Sequence, residues 1–139
     1  MPARHSGKVE KGWGYEIIWA TNDLYCGKIL VFDKAGKKMS MHFHKEKHES
    51  WFVNQGRFKL RYLDTQTATP MEVEIKAGDT WTNTPLMPHQ LEAIEPGSSI
   101  TEVSTPDSIE DNYRIVPGDS QDVKEPDASI QETAQPQQG

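Results

Sequence analysis

Three of the five histidines fall within seven residues, in the stretch MHFHKEKHESW from Met41 to Trp51. On a β-strand, residues i and i+2 share a face, so His42 and His44 would project side by side as a pair of metal ligands must. Glu49 follows after four residues, enough for a tight turn, and would open the next strand beside the pair. His89 begins a later strand after the loop TPLMP and could complete the set. Three imidazoles and one carboxylate suit a divalent transition metal (Zn, Mn, Fe, Co or Ni) with one or two positions left open. The competing reading is a polar cluster at a strand end. His48, Lys45, Glu46 and Lys47 lie in the turn between the ligand strands and are expected to be solvated, although Lys45 or His48 could lean over the site mouth.

Such ligands need a rigid frame, and the chain reads as short strands separated by turn signals. Strands are expected at Tyr15–Ala20, Gly27–Asp33, Ser40–His44, Ser50–Asn54, Arg57–Leu63, Met71–Ile75, Thr80–Asn83, His89–Ala93 and Ser99–Ser104. They are rich in β-branched and aromatic residues, and several alternate with period two. Lys34-Ala35-Gly36, Gln55-Gly56, Ala77-Gly78, Pro85 with Pro88, and Pro96-Gly97 fall between them. No amphipathic helix longer than two turns is evident. The expectation is an all-β fold, a small antiparallel sandwich or barrel. Trp13, Trp19, Trp51 and Trp81 are read as core, with Trp81 the one best placed to face a substrate.

The 139 residues amount to one domain, and a formal charge of −6 argues against a nucleic-acid partner. One cysteine, Cys26, excludes an internal disulfide framework and any multi-cysteine metal site. No stretch is apolar enough for a signal peptide or a membrane span, so a cytoplasmic protein with no membrane partner is expected. From Pro117 onward the chain is poor in apolar residues and carries five acids against one lysine, so residues 117–139 are read as a disordered acidic tail. Residues 1–10 are expected to be flexible, which leaves 11–116 as the folded domain.

The segment from Gly36 to Gly56 has the form G-x5-H-x-H-x4-E-x6-G, which matches the first motif of the cupin superfamily without a gap. The second cupin motif is partly present. Gly78 to His89 keeps its separation, but Thr84, Leu86 and Ala93 replace its proline, glycine and asparagine. Within the superfamily, KGWGYE, Lys28, MSMHFH, ESWFVNQG and EDNYR resemble successive elements of the cupin domain of type II phosphomannose isomerases, over Lys11 to Ile115. His42 stands where that family often has glutamine, and no counterpart of its nucleotidyltransferase domain is found. The resemblance implies a cupin double-stranded β-helix (jelly-roll) with His42, His44, Glu49 and His89 on the metal. It further implies aldose–ketose isomerisation of a sugar phosphate such as mannose 6-phosphate. Lys28, Arg114 and Trp81 are candidate substrate contacts, with Lys28 or His48 the candidate base, and a homodimer is expected. Two other classes fit the same ligands: a metal- or sugar-binding module without turnover, and an iron-dependent dioxygenase.

Overall fold

A computed structural model describes residues 6–119. Their regular structure is eleven β-strands: β1 (Gly7–Lys11), β2 (Gly14–Thr21), β3 (Cys26–Phe32), β4 (Met41–Phe43), β5 (Glu49–Gln55), β6 (Arg57–Asp64), β7 (Thr69–Lys76), β8 (Thr80–Asn83), β9 (His89–Ala93), β10 (Ser98–Ser104) and β11 (Tyr113–Val116). One sheet runs β1-β2-β3-β10-β5-β8 and the other β11-β4-β9-β6-β7. All pairings are antiparallel, and the two sheets enclose one core. No helix among the described residues is long and apolar enough to cross a membrane.

All nine expected strands are present. The two that sequence reading missed, β1 and β11, show little or no burial alternation; β11 is exposed throughout. The N-terminal expectation is corrected from Gly7 onward, since β1 pairs with β2 from Gly7↔Ile18 to Lys11↔Gly14. At the other end, Pro117–Asp119 is not free tail. Lys38 N donates to Asp119 Oδ2 (2.7 Å) and Asp119 N donates to Lys38 O (2.8 Å). A Cβ on Gly118 would lie 2.3 Å from the Met39 carbonyl carbon, so only glycine permits that approach. The rest of the expected tail, from residue 120, lies outside the described residues.

Period-two alternation grades the interior from apolar to ionisable toward one end. The inward residues read Phe32, Leu30, Lys28 on β3, Val53, Trp51, Glu49 on β5, and Ala93, Leu91, His89 on β9. On β10, Ile100 is followed by Glu102, which pairs in register with Lys28 and Trp51. Trp13 stacks on Phe32 (centroids 4.3 Å), whose ring meets Phe58 edge-on, closing the apolar end. Burying such rings supplies most of the driving force. The apolar floor gives the ionisable end a rigid base.

Candidate metal centre

His42 on β4 and His89 on β9 are direct cross-strand partners, and His44 follows two residues later on the same side. Their rings lie 4.6 Å (His42–His89), 5.1 Å (His42–His44) and 5.7 Å (His44–His89) apart. One nitrogen from each falls within 4.8 Å of the others, and all three residues are buried. The orientation of each ring is fixed from behind. Nδ1 of His42 meets Ser40 O at 3.0 Å, Nδ1 of His44 meets Asp111 O at 2.6 Å, and Nδ1 of His89 meets Met87 O at 2.9 Å. A carbonyl only accepts, so each Nδ1 carries the proton and each Nε2 keeps its lone pair. This backbone support is the arrangement that metal-binding histidines use.

Glu49 opens β5 beside these lone pairs. Its Oε2 lies 3.0 Å from His89 Nε2 and its Oε1 4.0 Å from His44 Nε2. An acceptor nitrogen facing a carboxylate oxygen repels it unless a cation or proton lies between them. Protonation is disfavoured at His42 and His44. Burial pushes the His42 pKa well below its usual value, aided by His89 and His44, and burial lowers His44 to about 4. Burial raises the Glu49 pKa, but Lys47 and the histidines outweigh it and hold the carboxyl well below 4.5. Three imidazoles whose Nδ1 is tied to a carbonyl and whose Nε2 keeps its lone pair, with an ionised carboxylate beside them, form a donor set fitted to a divalent metal ion.

These depressed imidazole pKa values link acid to stability. Between pH 6.5 and about 4 the unfolded chain binds protons at His44 that the folded chain refuses. Stability of the metal-free protein is therefore expected to be highest above pH 6.5 and to fall as pH drops toward 4, by about 3 kcal/mol for His44 alone. Glu49 acts in the same direction below pH 4.5. Urea midpoints in chelator from pH 7.5 to 4.5 test this; a flat profile would contradict the buried neutral assignment.

Lys47 corrects the expectation of a solvated turn. Asp111 accepts from the backbone N–H groups of Lys45 (2.7 Å), Glu46 (3.1 Å) and Lys47 (3.1 Å), curling the turn around its carboxylate. The Lys47 side chain is thereby turned inward, where Nζ contacts Glu49 (3.3 Å), Glu102 (3.2 Å) and Asp107 (3.1 Å). Desolvation pulls its pKa down, but Glu102, Glu49 and Asp107 outweigh this and keep the ammonium charged. Lys45 and Glu46 are exposed as expected.

The other candidates separate clearly. Lys28 does point inward, but its ammonium is held by Glu16 (3.1 Å) and Asp107 (2.9 Å). His48 is exposed and does not line the cavity; only its backbone is tied, to Thr105. Arg114 is exposed on β11, outside the cavity lining. Trp81 does not line the cavity either. Its indole N–H donates to Asn83 Oδ1 (2.8 Å), and Asn83 Nδ2 donates to Glu49 Oε2 (3.0 Å), so Trp81 steadies Glu49 from behind.

Sequence reading missed Glu16 and Glu102, both buried in the cavity of about 60 Å³ that opens over His42 and His44. Burial and Glu49 raise the Glu102 pKa, and Trp51 Nε1 donates to its Oε1 (3.0 Å). Burial also raises the Glu16 pKa, but Lys28 and Lys11 overcome it and lower the value to about 2. Inward parity on β10 and β2 was the available signal for both. The turn residue Lys47 had none.

No protein-family model matches the sequence, and no curated protein matches it either. Solved structures do. KdgF from Halomonas sp. aligns with a TM-score of 0.60 at 20% identity, over 69% of this chain and 81% of that one. Oxalate decarboxylase from Bacillus subtilis gives 0.69 at 19% identity, over 83% of this chain and 31% of its own length. The chain thus spans about a third of that decarboxylase. Both are cupin-fold proteins, and at such identities the likeness establishes the cupin fold alone.

Proposed function

We propose that this chain is a metal-dependent cupin enzyme that moves a proton between neighbouring carbons of a hydroxy-carbonyl compound, with aldose–ketose isomerisation of a carbohydrate or sugar phosphate as the reaction. The observation that carries the metal assignment is the cluster of three imidazoles with Nδ1–H tied to carbonyls, two of which, His89 and His44, have Nε2 beside the Glu49 carboxylate. His42, His44, His89 and Glu49 would hold the ion, which supplies Lewis acidity toward a substrate oxygen. The step itself comes from the sequence resemblance to type II phosphomannose isomerases. Bacillus subtilis oxalate decarboxylase is described as having Mn(II) centers, which makes Mn²⁺ the first ion to test.

Glu102 is the group best suited to carry the proton. Its carboxyl lines the cavity, Trp51 fixes one oxygen, and its raised pKa suits a group that both gives and takes a proton. Lys47 stays charged and holds Glu102 beside Glu49. Trp13, Ile18 and Leu30 form the apolar wall that keeps bulk water from the reacting carbons. Lys28, tied into its ion pairs, orients Glu16 and Asp107 rather than acting as the base.

Purified protein is expected to retain a divalent metal and to interconvert members of a panel of aldoses, ketoses and their phosphates, mannose 6-phosphate included, with loss of turnover in Glu102→Gln. Metal without turnover would favour the non-catalytic binding module, a reading supported by the small cavity and its paired lysines. Oxygen uptake with bound iron would favour the dioxygenase. A homodimer is part of the same proposal. The outer face of the six-stranded sheet exposes Trp19, Phe52 and Val103, an apolar patch suited to a second copy, and sedimentation mass decides it.

A further inference from the structure

The charges around the cavity do not balance once a metal is added. Among the described residues, Lys11, Lys28 and Lys47 face Glu16, Glu49, Glu102 and Asp107, three positive against four negative, and the histidines enter the count as the neutral ligands a metal requires. The sum is −1 for the metal-free cavity, and a divalent cation would change it to +1. Were Glu102 protonated, the sums would be 0 and +2, positive again after metal uptake. An uncompensated charge at a buried site is costly, so a counter-charge should enter with the ion. A second observation points to a ligand acceptor. Trp13 lines this cavity at 1% exposure, and its indole N–H has no hydrogen-bond partner among the described residues. A buried orphan donor is expensive to maintain and calls for an acceptor.

We propose that the cavity takes up a small carboxylate monoanion together with the divalent metal, the anion meeting the excess positive charge beside Lys47 and accepting from the Trp13 indole. This rests on the metal assignment made above and extends it to the class of co-ligand. By linkage, the anion must raise metal affinity by the same factor as the metal raises anion affinity. The pair acetate and acetamide separates charge from shape, because the two have nearly the same size and differ in charge.

The experiment is calorimetric titration of the full chain with Mn²⁺ in buffers holding acetate, acetamide or neither. Acetate is expected to tighten Mn²⁺ binding about tenfold or more, within the usual range of coupling between sites, and acetamide to do nothing. Two substitutions move the charge in opposite directions. Lys47→Met lowers it by one, so Mn²⁺ should bind at least as well and the acetate effect should vanish. Asp107→Asn raises it by one, so Mn²⁺ should bind more weakly and the acetate effect should grow. Trp13→Phe should reduce the acetate effect with the charge unchanged. Circular dichroism confirms that each variant is folded, and Asp107→Asn decides if Lys47→Met is not. Equal effects of acetate and acetamide, or an acetate effect indifferent to Asp107→Asn, would overturn the proposal while leaving the metal site intact. Absence of Mn²⁺ binding in every buffer would remove the metal assignment and this inference with it.

Discussion

Replacing His44 with alanine is expected to weaken Mn²⁺ binding by more than about 100-fold, since removing a ligand should cost at least as much as removing the group behind one. The chain should nevertheless stay folded. The apolar core of Trp13, Phe32, Phe58, Leu60, Leu91 and Ile100 is assembled without the ion, and His44 itself sits at the cavity rather than in that core. What is lost locally is the contact between His44 Nδ1 and Asp111 O, about 1 kcal/mol for an ordinary hydrogen bond. The variant should also respond less to acid, because one imidazole that refuses protons is gone. His48→Ala is the control; its side chain lies outside the cavity, and metal binding should not change. Circular dichroism with metal analysis on both variants reads the outcome. Global unfolding of His44→Ala would make the ion structural, and retained Mn²⁺ would mean that the ion sits elsewhere.

Lys47→Met should give the largest loss of stability of any single polar substitution here. The side chain is 4% exposed and touches three carboxylates, those of Glu49, Glu102 and Asp107. Methionine fills much of the same volume but leaves these anions facing one another. Breaking one side of a buried ion pair costs about 3–5 kcal/mol. The deficit should shrink when Mn²⁺ is added, because a divalent cation beside Glu49 replaces the lost positive charge. Urea unfolding with and without Mn²⁺ measures both effects. A loss below about 1 kcal/mol in the metal-free protein would show that the carboxylates relax into water, as surface pairs do.

Much of this architecture is legible from side-chain parity. Val53, Trp51 and Glu49 alternate inward on β5, and the same rule brings His42 and His44 to one side. Parity also carried Lys28 inward, yet it could not say that Glu16 and Asp107 would be waiting for the ammonium. Glu16 comes from the consecutive strand β2, two residues off the direct cross-strand partner of Lys28, and Asp107 lies 79 positions later, after β10. Lys47 was misjudged because turn residues are ordinarily solvated. Its direction is set by Asp111, sixty-four positions later. β1 and β11 escaped because each is an edge strand held by one partner strand and neither presents an apolar face to the core.

Asp111 also imposes an order on synthesis. His44 and Asp111 are separated by 67 positions, and the same aspartate closes the turn that carries Lys47. While the ribosome has delivered only the first hundred residues, β4, β5 and β9 are all available, but nothing yet holds the His44 ring or points Lys47 inward. Contacts of such sequence separation form late, after the entropy of closing a long loop has been met. The nascent chain therefore exposes a His44 ring that is not yet fixed in the tautomer a metal requires, while His42 and His89 already have their local carbonyl partners. Capture of the ion is deferred until the domain is nearly complete, so the cell's metal pool meets a finished site rather than a growing chain.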